Sequence, residues 1–219
     1  MDGTPKKHTS IIWSSWSMNE ERRGVLRKSL ESLIETAKDT EIFIVDNGED
    51  LEDSKWFLEK THNKEIACYI RNRHNLHFGM ARNQGLKMAT GEYIVISDND
   101  IIFEDGWLEE CIEFLEKHEG KYLATPMNVD RAHTHPKYFQ GECDGWKLNM
   151  RAGSNIFVMR RSDFEQIGYF RIHRIAGTKF TDTYVKMGYL MACMPEPKCS
   201  DMGFTRGYDL GKEIEHLEL

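Results

Sequence analysis

Short apolar segments alternate with segments of helical period along the first half of the chain, and this alternation restricts the fold more than any other feature. The predicted strands are residues 9–13, 41–45, 65–70 and 93–97, and the predicted helices are residues 19–38, 54–60 and 79–89. Strands separated by helices pair in parallel, because the helical connection returns the chain to the same end of the sheet. The sequence therefore predicts an α/β fold with a mostly parallel central sheet flanked by helices.

Polar residues that follow these strands are expected to meet at one edge of the sheet. Crossovers between parallel strands are almost always right-handed, so the carboxyl ends of the strands lie together and open into a crevice. Gly48, Arg71, Asn72 and Asp98 follow successive predicted strands. We expect them to lie close together despite their separation in sequence.

Two aspartates, Asp98 and Asp100, follow directly after the apolar strand at residues 93–97. Carboxylate oxygens suit Mg²⁺ or Mn²⁺, ions that commonly share their coordination shell with phosphate groups. The alternative is a plain turn, because Asp and Asn side chains readily hydrogen-bond to turn backbone. Both interpretations stay open from this pattern alone.

The second half is predicted to hold a helix near residues 107–115 and strands at 123–126 and 155–159. Residues 127–151 are predicted to form a long irregular loop, rich in His, Gly, Asp and aromatic residues. Loops of this length in a compact domain usually have a function. We find no internal repeat or linker, so one domain is expected over residues 1–219.

The net charge and the cysteine content restrict the binding partners and the cellular compartment that we expect. The net charge of −7 argues against broad binding to nucleic acids or anionic membranes. No apolar run is long enough to span a membrane, and residues 1–8 lack the apolar core of a signal peptide. The five cysteines have no metal-ligand spacing and are interpreted as reduced thiols. We expect a cytoplasmic protein without a transmembrane segment, for which peripheral membrane contact stays open.

Four ordered segments carry a family resemblance. They are Val45-Asp46-Asn47-Gly48, Arg71-Asn72 with residues 79–86, residues 89–95 followed by Asp98-Asn99-Asp100, and residues 153–161 with residues 167–170. Together they resemble the family-2-type glycosyltransferases that have a GT-A fold, which is Rossmann-like. The resemblance covers most of the chain and implies a nucleotide-binding half at about residues 8–100 and an acceptor-binding half at about residues 101–219.

The resemblance also implies a reaction. It is the transfer of a sugar from a nucleoside diphosphate sugar, with UDP favoured, to a hydroxyl group of a glycan or polysaccharide precursor. Inversion by a single displacement is implied. Mn²⁺ or Mg²⁺ is the expected cofactor, because a divalent cation stabilises the departing diphosphate.

In the donor site, the resemblance assigns direct metal ligation to Asp100, and a contact with the ribose, or with the metal through water, to Asp98. Asp201 and His216 are candidates to complete the metal shell. Asp46 is expected to accept the imide N–H group of a uracil or thymine ring, with a turn-capping role as the alternative. The other expected donor contacts are Trp13, Arg71, Asn72, His77, Arg82 and Asn99.

Structural roles are also considered for three residues near the expected donor site. Trp13 would frame the base, or else be buried in the core. Arg82 would offset phosphate charge, or else lie on a helix surface paired with a glutamate. Asn83 is expected to hold a loop through its side chain rather than to touch substrate.

On the acceptor side, Asp182 occupies the place of an aspartate in the resembling family and is expected to remove the proton from the acceptor hydroxyl. The alternative role is a helix N-cap. Asp144 is expected to contact acceptor hydroxyls, and Trp146 to offer an aromatic face to a sugar ring, with a half-packed loop aromatic as the alternative.

The chain departs from the family pattern at three places. Trp13-Ser14-Ser15-Trp16 replaces the usual turn after the first strand, Thr181 precedes Asp182 where a glutamate is usual, and residues 200–203 lack an expected histidine. A sugar-phosphate nucleotidyltransferase is a second possible function, but its glycine-rich loop is missing after the first strand. A catalytically degenerate glycan-binding module is a third, which the intact Asp98, Asp100 and Asp182 argue against.

Overall fold

A nine-stranded sheet forms the centre of the structure. The computed structural model describes residues 8–16, 20–48, 50–127, 136–151, 155–171 and 176–202. The strands are β1 (Thr9–Ser15), β2 (Glu41–Asp46), β3 (Cys68–Arg71), β4 (Tyr93–Ser97), β5 (Ile101–Phe103), β6 (Tyr122–Thr125), β7 (Phe139–Cys143), β8 (Trp146–Asn149), β9 (Ile156–Arg160), β10 (Leu190–Cys193) and β11 (Cys199–Asp201). The helices are α1 (Glu20–Thr36), α2 (Leu51–His62), α3 (Phe78–Met88), α4 (Trp107–Lys117), α5 (Arg161–Ile167) and α6 (Ala176–Lys186).

The strand order of the sheet is β3-β2-β1-β4-β9-β6-β10-β8-β7. The first four strands in this order are parallel, and β6 is parallel to β10. Strands β8 and β9 run opposite to their neighbours, whereas β5 and β11 form a separate antiparallel pair. The predicted α/β fold with a mostly parallel central sheet is confirmed. Because β9 pairs with β4, strands from both predicted halves of the chain share this sheet.

The central strands are buried on both faces of the sheet: successive side chains of a strand point to opposite faces, and every side chain of β1 and β4 is buried. In β1, Ile11 and Trp13 belong to one core cluster and Ile12 to the other. The first cluster includes side chains from α1, α2 and α4, and the second includes side chains from α3, α5 and α6. Each fully buried aliphatic or aromatic side chain contributes about 1.5–3 kcal/mol. The described helices contain no segment both long and apolar enough to cross a membrane.

Helix α3 lies close against β1, and a glycine makes this approach possible. A Cβ atom at Gly85 would stand only 2.9 Å from Cγ2 of Ile12. A larger side chain would push the helix away from the strand. This close contact matters for the site, because α3 also carries Arg82 and Asn83.

Residues 139–149 form an antiparallel hairpin at one end of the sheet, so the prediction of an irregular loop is wrong for this segment. Asp144 and Gly145 connect β7 to β8, with φ angles of 48° and 82°. Two-residue hairpin turns require such positive values, and Asp-Gly is a preferred pair for them. A register shift between Phe139 and Gly141 inserts an extra residue in β7. Residues 128–135 lie outside the described part of the chain.

Candidate active site

The carboxyl ends of the first four strands lie side by side at one edge of the sheet. Ser15 is the register partner of Asp46, and Asp46 is the partner of Arg71. Ser97, the last residue of β4, pairs with Trp13 of β1. The prediction that these strand ends lie together is confirmed. Asp98 directly follows the last residue of β4 at this edge.

Asp98 forms an ion pair with Arg82, whose side chain is only 1% exposed. The pKa of the Asp98 carboxyl lies above its usual value because burial disfavours the charged form; Arg82 opposes this shift and nearby Asp201 adds to it. The alternative of Arg82 as a surface residue paired with a glutamate is wrong. Asp98 therefore lies between one buried cation and a second carboxylate.

The guanidinium group of Arg82 lies between two aromatic rings. Its Cζ atom is 4.7 Å from the ring centroid of Phe78 and 5.4 Å from that of Phe170. Cation–π contacts of this kind hold the side chain in place. Its Nε and Nη1 atoms are buried and have no hydrogen-bond partner within the described residues. An anionic ligand would complete such an arrangement, because buried donors are normally satisfied.

Two further carboxylates lie near this pair. Burial lowers the pKa of Arg82, whereas Asp98 and Asp100 both raise it, which places Asp100 close to the guanidinium. Asp201 is the register partner of Ile101 and accepts a hydrogen bond of 2.9 Å from the Asn155 side chain. The edge of the sheet thus gathers an excess of negative charge around a single buried arginine.

Oxygen ligands with an excess of negative charge fit a hard divalent cation. Among the described residues, no group of three or more His, Cys, Asp or Glu side chains stands close enough together to hold a metal ion. Mg²⁺ is commonly bound by one or two carboxylates, with phosphate and water as the other ligands. Asp100 and Asp98 fit that coordination. His216, predicted as a further ligand, lies outside the described residues.

Asp46 is fully buried at the end of β2. Its Oδ2 atom accepts hydrogen bonds from Tyr69 at 2.5 Å and from Ser54 at 3.0 Å, and its Oδ1 atom accepts one of 2.9 Å from the Gly48 amide. The carboxylate therefore stabilises the turn after β2. Contact of this buried carboxylate with a pyrimidine base stays a prediction.

Arg71 and Asn72 follow β3 beside Asp46. The Arg71 side chain donates to Ser54 and lies 3.9 Å from the Asp46 carboxylate. Asn72 is 7% exposed and exchanges two hydrogen bonds with Gln84 of α3, at 2.8 and 2.9 Å. Asn72 thus joins β3 to α3, and its predicted contact with the nucleotide has no direct support in this geometry.

The other predicted donor contacts differ in their access to a ligand. Trp13 is fully buried, donates to Ser29 and packs edge-on against Phe57 with a centroid distance of 6.0 Å. The prediction that Trp13 frames a base is therefore wrong, because the ring is part of the core. His77 is exposed directly before α3, and Asn99 donates to the Trp16 carbonyl at 3.4 Å. Their contacts with a donor stay predictions.

Asp182 lies within α6, so its alternative role as an N-cap is wrong. Its carboxylate forms an ion pair with Arg151, and its side chain is 28% exposed. The same helix places Phe180 against Phe170, with stacked rings whose centroids are 4.3 Å apart. Because Phe170 also contacts Arg82, the helix that carries Asp182 packs against the same segment as this arginine.

Asp144 and Trp146 lie at the β7–β8 turn, and their contacts connect them to α4. Asp144 forms an ion pair with Lys117 at 2.5 Å, and its Oδ2 atom lies 3.2 Å from Nε2 of His118. Trp146 is 8% exposed and stacks on Phe114, with ring centroids 4.6 Å apart. The prediction that Trp146 offers an open face to a sugar ring is wrong, because that ring packs in the core. Acceptor contact by Asp144 stays a prediction.

Two residues of this region were missed by sequence reasoning. The Asn155 carbonyl accepts from the Asp98 amide at 2.7 Å while its side chain holds Asp201. Arg151 is the partner of Asp182. Both contacts join segments that are far apart in sequence, so no local pattern reveals them. Asn83 behaves as expected, because it exchanges hydrogen bonds of 2.8 and 2.9 Å with the Phe170 backbone.

The family model described as glycosyl transferase family 2 matches residues 17–174. The chain is 29% identical over 115 residues to an uncharacterised glycosyltransferase of Methanocaldococcus jannaschii, covering 52% of this chain and 39% of that protein. It is also 29% identical over 122 residues to an uncharacterised glycosyltransferase of Rickettsia felis, covering 54% of this chain and 19% of that protein. The chain thus spans less than half the length of these curated relatives.

Solved structures share the same fold. A mannosyltransferase from Pyrobaculum calidifontis, in complex with GDP-Man and Mn²⁺, has a TM-score of 0.73 and 18% identity, covering 96% of this chain and 61% of that one. GalNAc-T7 with UDP, GalNAc and Mn²⁺ has a TM-score of 0.69 and 12% identity, covering 89% and 44%. S. aureus TarS with UDP-GlcNAc has a TM-score of 0.65 and 16% identity, covering 88% and 57%. At these identities the similarity shows the GT-A fold.

Proposed function

Because the chain belongs to glycosyl transferase family 2, we propose that it transfers a sugar from a nucleoside diphosphate sugar to a hydroxyl group of a glycan or polysaccharide precursor. The observation that carries this proposal is the group of Asp98, Asp100 and buried Arg82 at the carboxyl edge of the sheet. Ligands of open α/β sheets bind at such edges. The three solved relatives, which contain UDP or GDP-Man or UDP-GlcNAc, support the choice of donor class.

Mn²⁺ or Mg²⁺ is the proposed cofactor. Asp100 would hold it directly, Asp98 would contact it through water or bind the ribose, and Asp201 and His216 are the proposed further ligands. The bound cation supplies Lewis-acid stabilisation of the departing diphosphate. Mn²⁺ in two of the solved relatives supports this cofactor class.

Arg82 is proposed to have two roles in the donor site. Its ion pair with Asp98 fixes that carboxylate. Its Nε and Nη1 groups, which have no hydrogen-bond partner among the described residues, would offset the charge of the diphosphate. His77, exposed before the same helix, and Asn99, next to Asp98, are proposed to contact the donor as well. A UDP donor is favoured through the proposed role of Asp46, with Arg71 beside it.

Asp182 is the proposed general base, which takes the proton of the acceptor hydroxyl group. The acceptor oxygen attacks the anomeric carbon, its proton passes to the Asp182 carboxylate, and the bond to the diphosphate breaks with its electron pair leaving on the nucleotide. This single displacement inverts the anomeric carbon. Arg151 orients the carboxylate through their ion pair. Asp144 is the proposed contact for acceptor hydroxyls. We also propose a cytoplasmic location, which the free cysteines support.

A panel of UDP and GDP sugars with Mn²⁺, scored by donor hydrolysis without acceptor, tests the proposed reaction. We expect nucleotide release from one donor and its loss when the metal is chelated. If no donor is cleaved although UDP with Mn²⁺ raises the melting temperature, the chain is a degenerate binding module. If pyrophosphate is instead formed from a sugar phosphate and UTP, it is a nucleotidyltransferase.

Replacing Asp100 tests the site itself. Asp100→Asn should abolish the stabilisation by UDP with Mn²⁺, which for the wild type at a ligand concentration of about 100 Kd amounts to about 2.7 kcal/mol. The exposed Asp105, close in sequence, offers a matched control as Asp105→Asn. Undiminished stabilisation in Asp100→Asn would show that the metal and nucleotide bind elsewhere.

A further inference from the structure

We propose that Cys143 is a reactive thiol, activated by His118 and Asp144, that exchanges with small-molecule disulfides. These three residues form a compact group at the end of β7 and the end of α4, apart from the group of Asp98, Asp100 and Arg82. A nucleophile, a base that contacts it and a third residue that orients the base make up a general arrangement for activating a thiol.

The hairpin turn brings Cys143 to the end of α4. Asp144 and Gly145 form the turn, and Cys143 is therefore the register partner of Trp146. The Trp146 ring stacks on Phe114 of α4, with a centroid distance of 4.6 Å. One helical turn separates Phe114 from His118, and their ring centroids are also 4.6 Å apart. Packing of the tryptophan thus places the thiol beside the imidazole.

The contacts within the group follow the order thiol, imidazole, carboxylate. The Cys143 Sγ atom is 3.5 Å from Nδ1 and 3.8 Å from Nε2 of His118. The His118 Nε2 atom is 3.2 Å from Oδ2 of Asp144. This carboxylate favours the tautomer with the proton on Nε2, so Nδ1 is the nitrogen left to accept the thiol proton. Because Sγ lies almost equally far from the two ring nitrogens, a rotation of the imidazole or of the Cys143 side chain is needed to bring the thiol into line with the Nδ1 lone pair. Lys117 forms an ion pair with the same carboxylate at 2.5 Å.

The other four cysteines lie in environments that suppress the thiolate. Cys111, Cys193 and Cys199 are buried, and burial raises the pKa of each thiol. Cys68 is half-buried like Cys143, but burial raises its pKa as well. Cys143 is the cysteine that combines partial exposure with a contacting histidine, so it is expected to react first.

The bonds, protons and electrons of the exchange balance with the thiol and the disulfide alone. The thiol proton passes to Nδ1 of His118, and the Cys143 thiolate attacks one sulfur of the disulfide. A new S–S bond forms, the S–S bond of the reagent breaks, and the leaving thiolate takes the proton from His118. Cys143 is oxidised and one sulfur of the reagent is reduced.

The test treats the full chain with excess glutathione disulfide at neutral pH and follows each cysteine by peptide mass spectrometry. We expect Cys143 to form its mixed disulfide about 10-fold or more faster than Cys68, its half-buried counterpart. His118→Gln should lower the rate at Cys143 about 10-fold, because it removes the base. Asp144→Asn should also lower it, and this residue is 50% exposed, so the fold tolerates its replacement.

Unfolded protein in guanidinium serves as the reference, in which all five cysteines should react at similar rates. Equal rates at Cys143 and Cys68 in the folded chain would overturn the proposal. So would a rate at Cys143 that is the same in the wild type and in either variant, because the imidazole and carboxylate would then have no part in the reaction.

Discussion

Among single residues, Asp182 carries the largest chemical demand, because a general base must be ionised and within reach of the acceptor hydroxyl. Its position within α6 gives it a fixed backbone, and its ion pair with Arg151 fixes the direction of the side chain. Acceptor binding would have to occur beside this pair. The two residues therefore form one unit in the proposed reaction.

Replacing this base should reduce turnover strongly. Asp182→Asn keeps the shape of the side chain and removes its ability to take a proton, so we expect kcat to fall by about 10²–10⁴-fold. Binding of UDP with Mn²⁺, measured by calorimetry, should stay unchanged. Glu165→Gln, at an exposed position of α5, is a control with the same loss of charge. Turnover within a few-fold of the wild type would remove Asp182 as the base.

Glu41 is a second residue whose charge matters, for stability rather than chemistry. It accepts hydrogen bonds from Ser10, from the Thr90 amide at 2.7 Å and from the Gly91 amide at 3.2 Å. Burial raises the pKa of Glu41, but the bonds from Ser10 and Thr90 and the nearby His8 outweigh it, so the pKa is lowered overall. The carboxylate therefore joins the beginnings of β1, β2 and β4.

A lowered pKa means that Glu41 stabilises the fold above its unfolded-state pKa, and that this contribution is lost as the pH falls through the folded-state value. Glu41→Gln should cost about 1–2 kcal/mol at neutral pH, since the side chain is partly exposed. In acid the difference from the wild type should shrink. Urea unfolding at both pH values measures it, with the exposed Glu59→Gln as control. A pH-independent difference would contradict the charge-based explanation.

At the scale of elements, α3 connects the proposed donor site to the helix that carries the proposed base. It carries Arg82, which holds Asp98, and Asn83, which holds the backbone of Phe170. The ring of Phe170 stacks on Phe180 of α6. A displacement of the segment at residue 170 would thus change the packing of both the buried Arg82 and the helix that carries Asp182.

Removing the Asn83 side-chain bonds should loosen this connection. Asn83→Leu leaves the Phe170 amide and carbonyl without their partner, so we expect a loss of about 1–3 kcal/mol in unfolding free energy. Asn83→Asp keeps the acceptor for the Phe170 amide and should lie between Leu and the wild type. Hydrogen exchange of the Phe170 amide provides the local readout. Equal protection in Asn83→Leu and the wild type would show that packing alone holds the segment.

The alternation of strands and helices was predictable because each of these elements has its own local period, and α3 and β4 lie within a few residues of their predicted positions. The hairpin at β7 and β8 was missed although Asp144-Gly145 is a strong local turn signal. The burial of Trp13 depends on α1 and α2 closing over β1, and the pair of Asp182 with Arg151 depends on tertiary contact. Such long-range contacts leave no local pattern.

For the whole molecule, the sheet divides the core into two clusters that share its strands. In β4, Tyr93 and Val95 belong to one cluster, and Ile94 and Ile96 belong to the other. A strand buried on both faces has no position where a polar side chain meets water. The apolar run before Asp98 is therefore required on both faces of the sheet. It gives the candidate active-site edge a support that cannot shift without disrupting both clusters.

Strand β7 is the last strand at one edge of the sheet, and its extra residue bears on whether this edge can pair with another copy of the chain. An open strand offers unpaired amides and carbonyls that can recruit another chain, and an irregular strand offers a poor template. Removing Gln140, the inserted residue, would straighten β7 and should promote self-association, whereas Gln140→Ala keeps the insertion. Light scattering over a concentration series measures this self-association. A scattering mass in the deletion variant that equals the wild-type value would contradict the prediction. If the deletion variant self-associates, the irregularity of β7 protects the protein against aggregation.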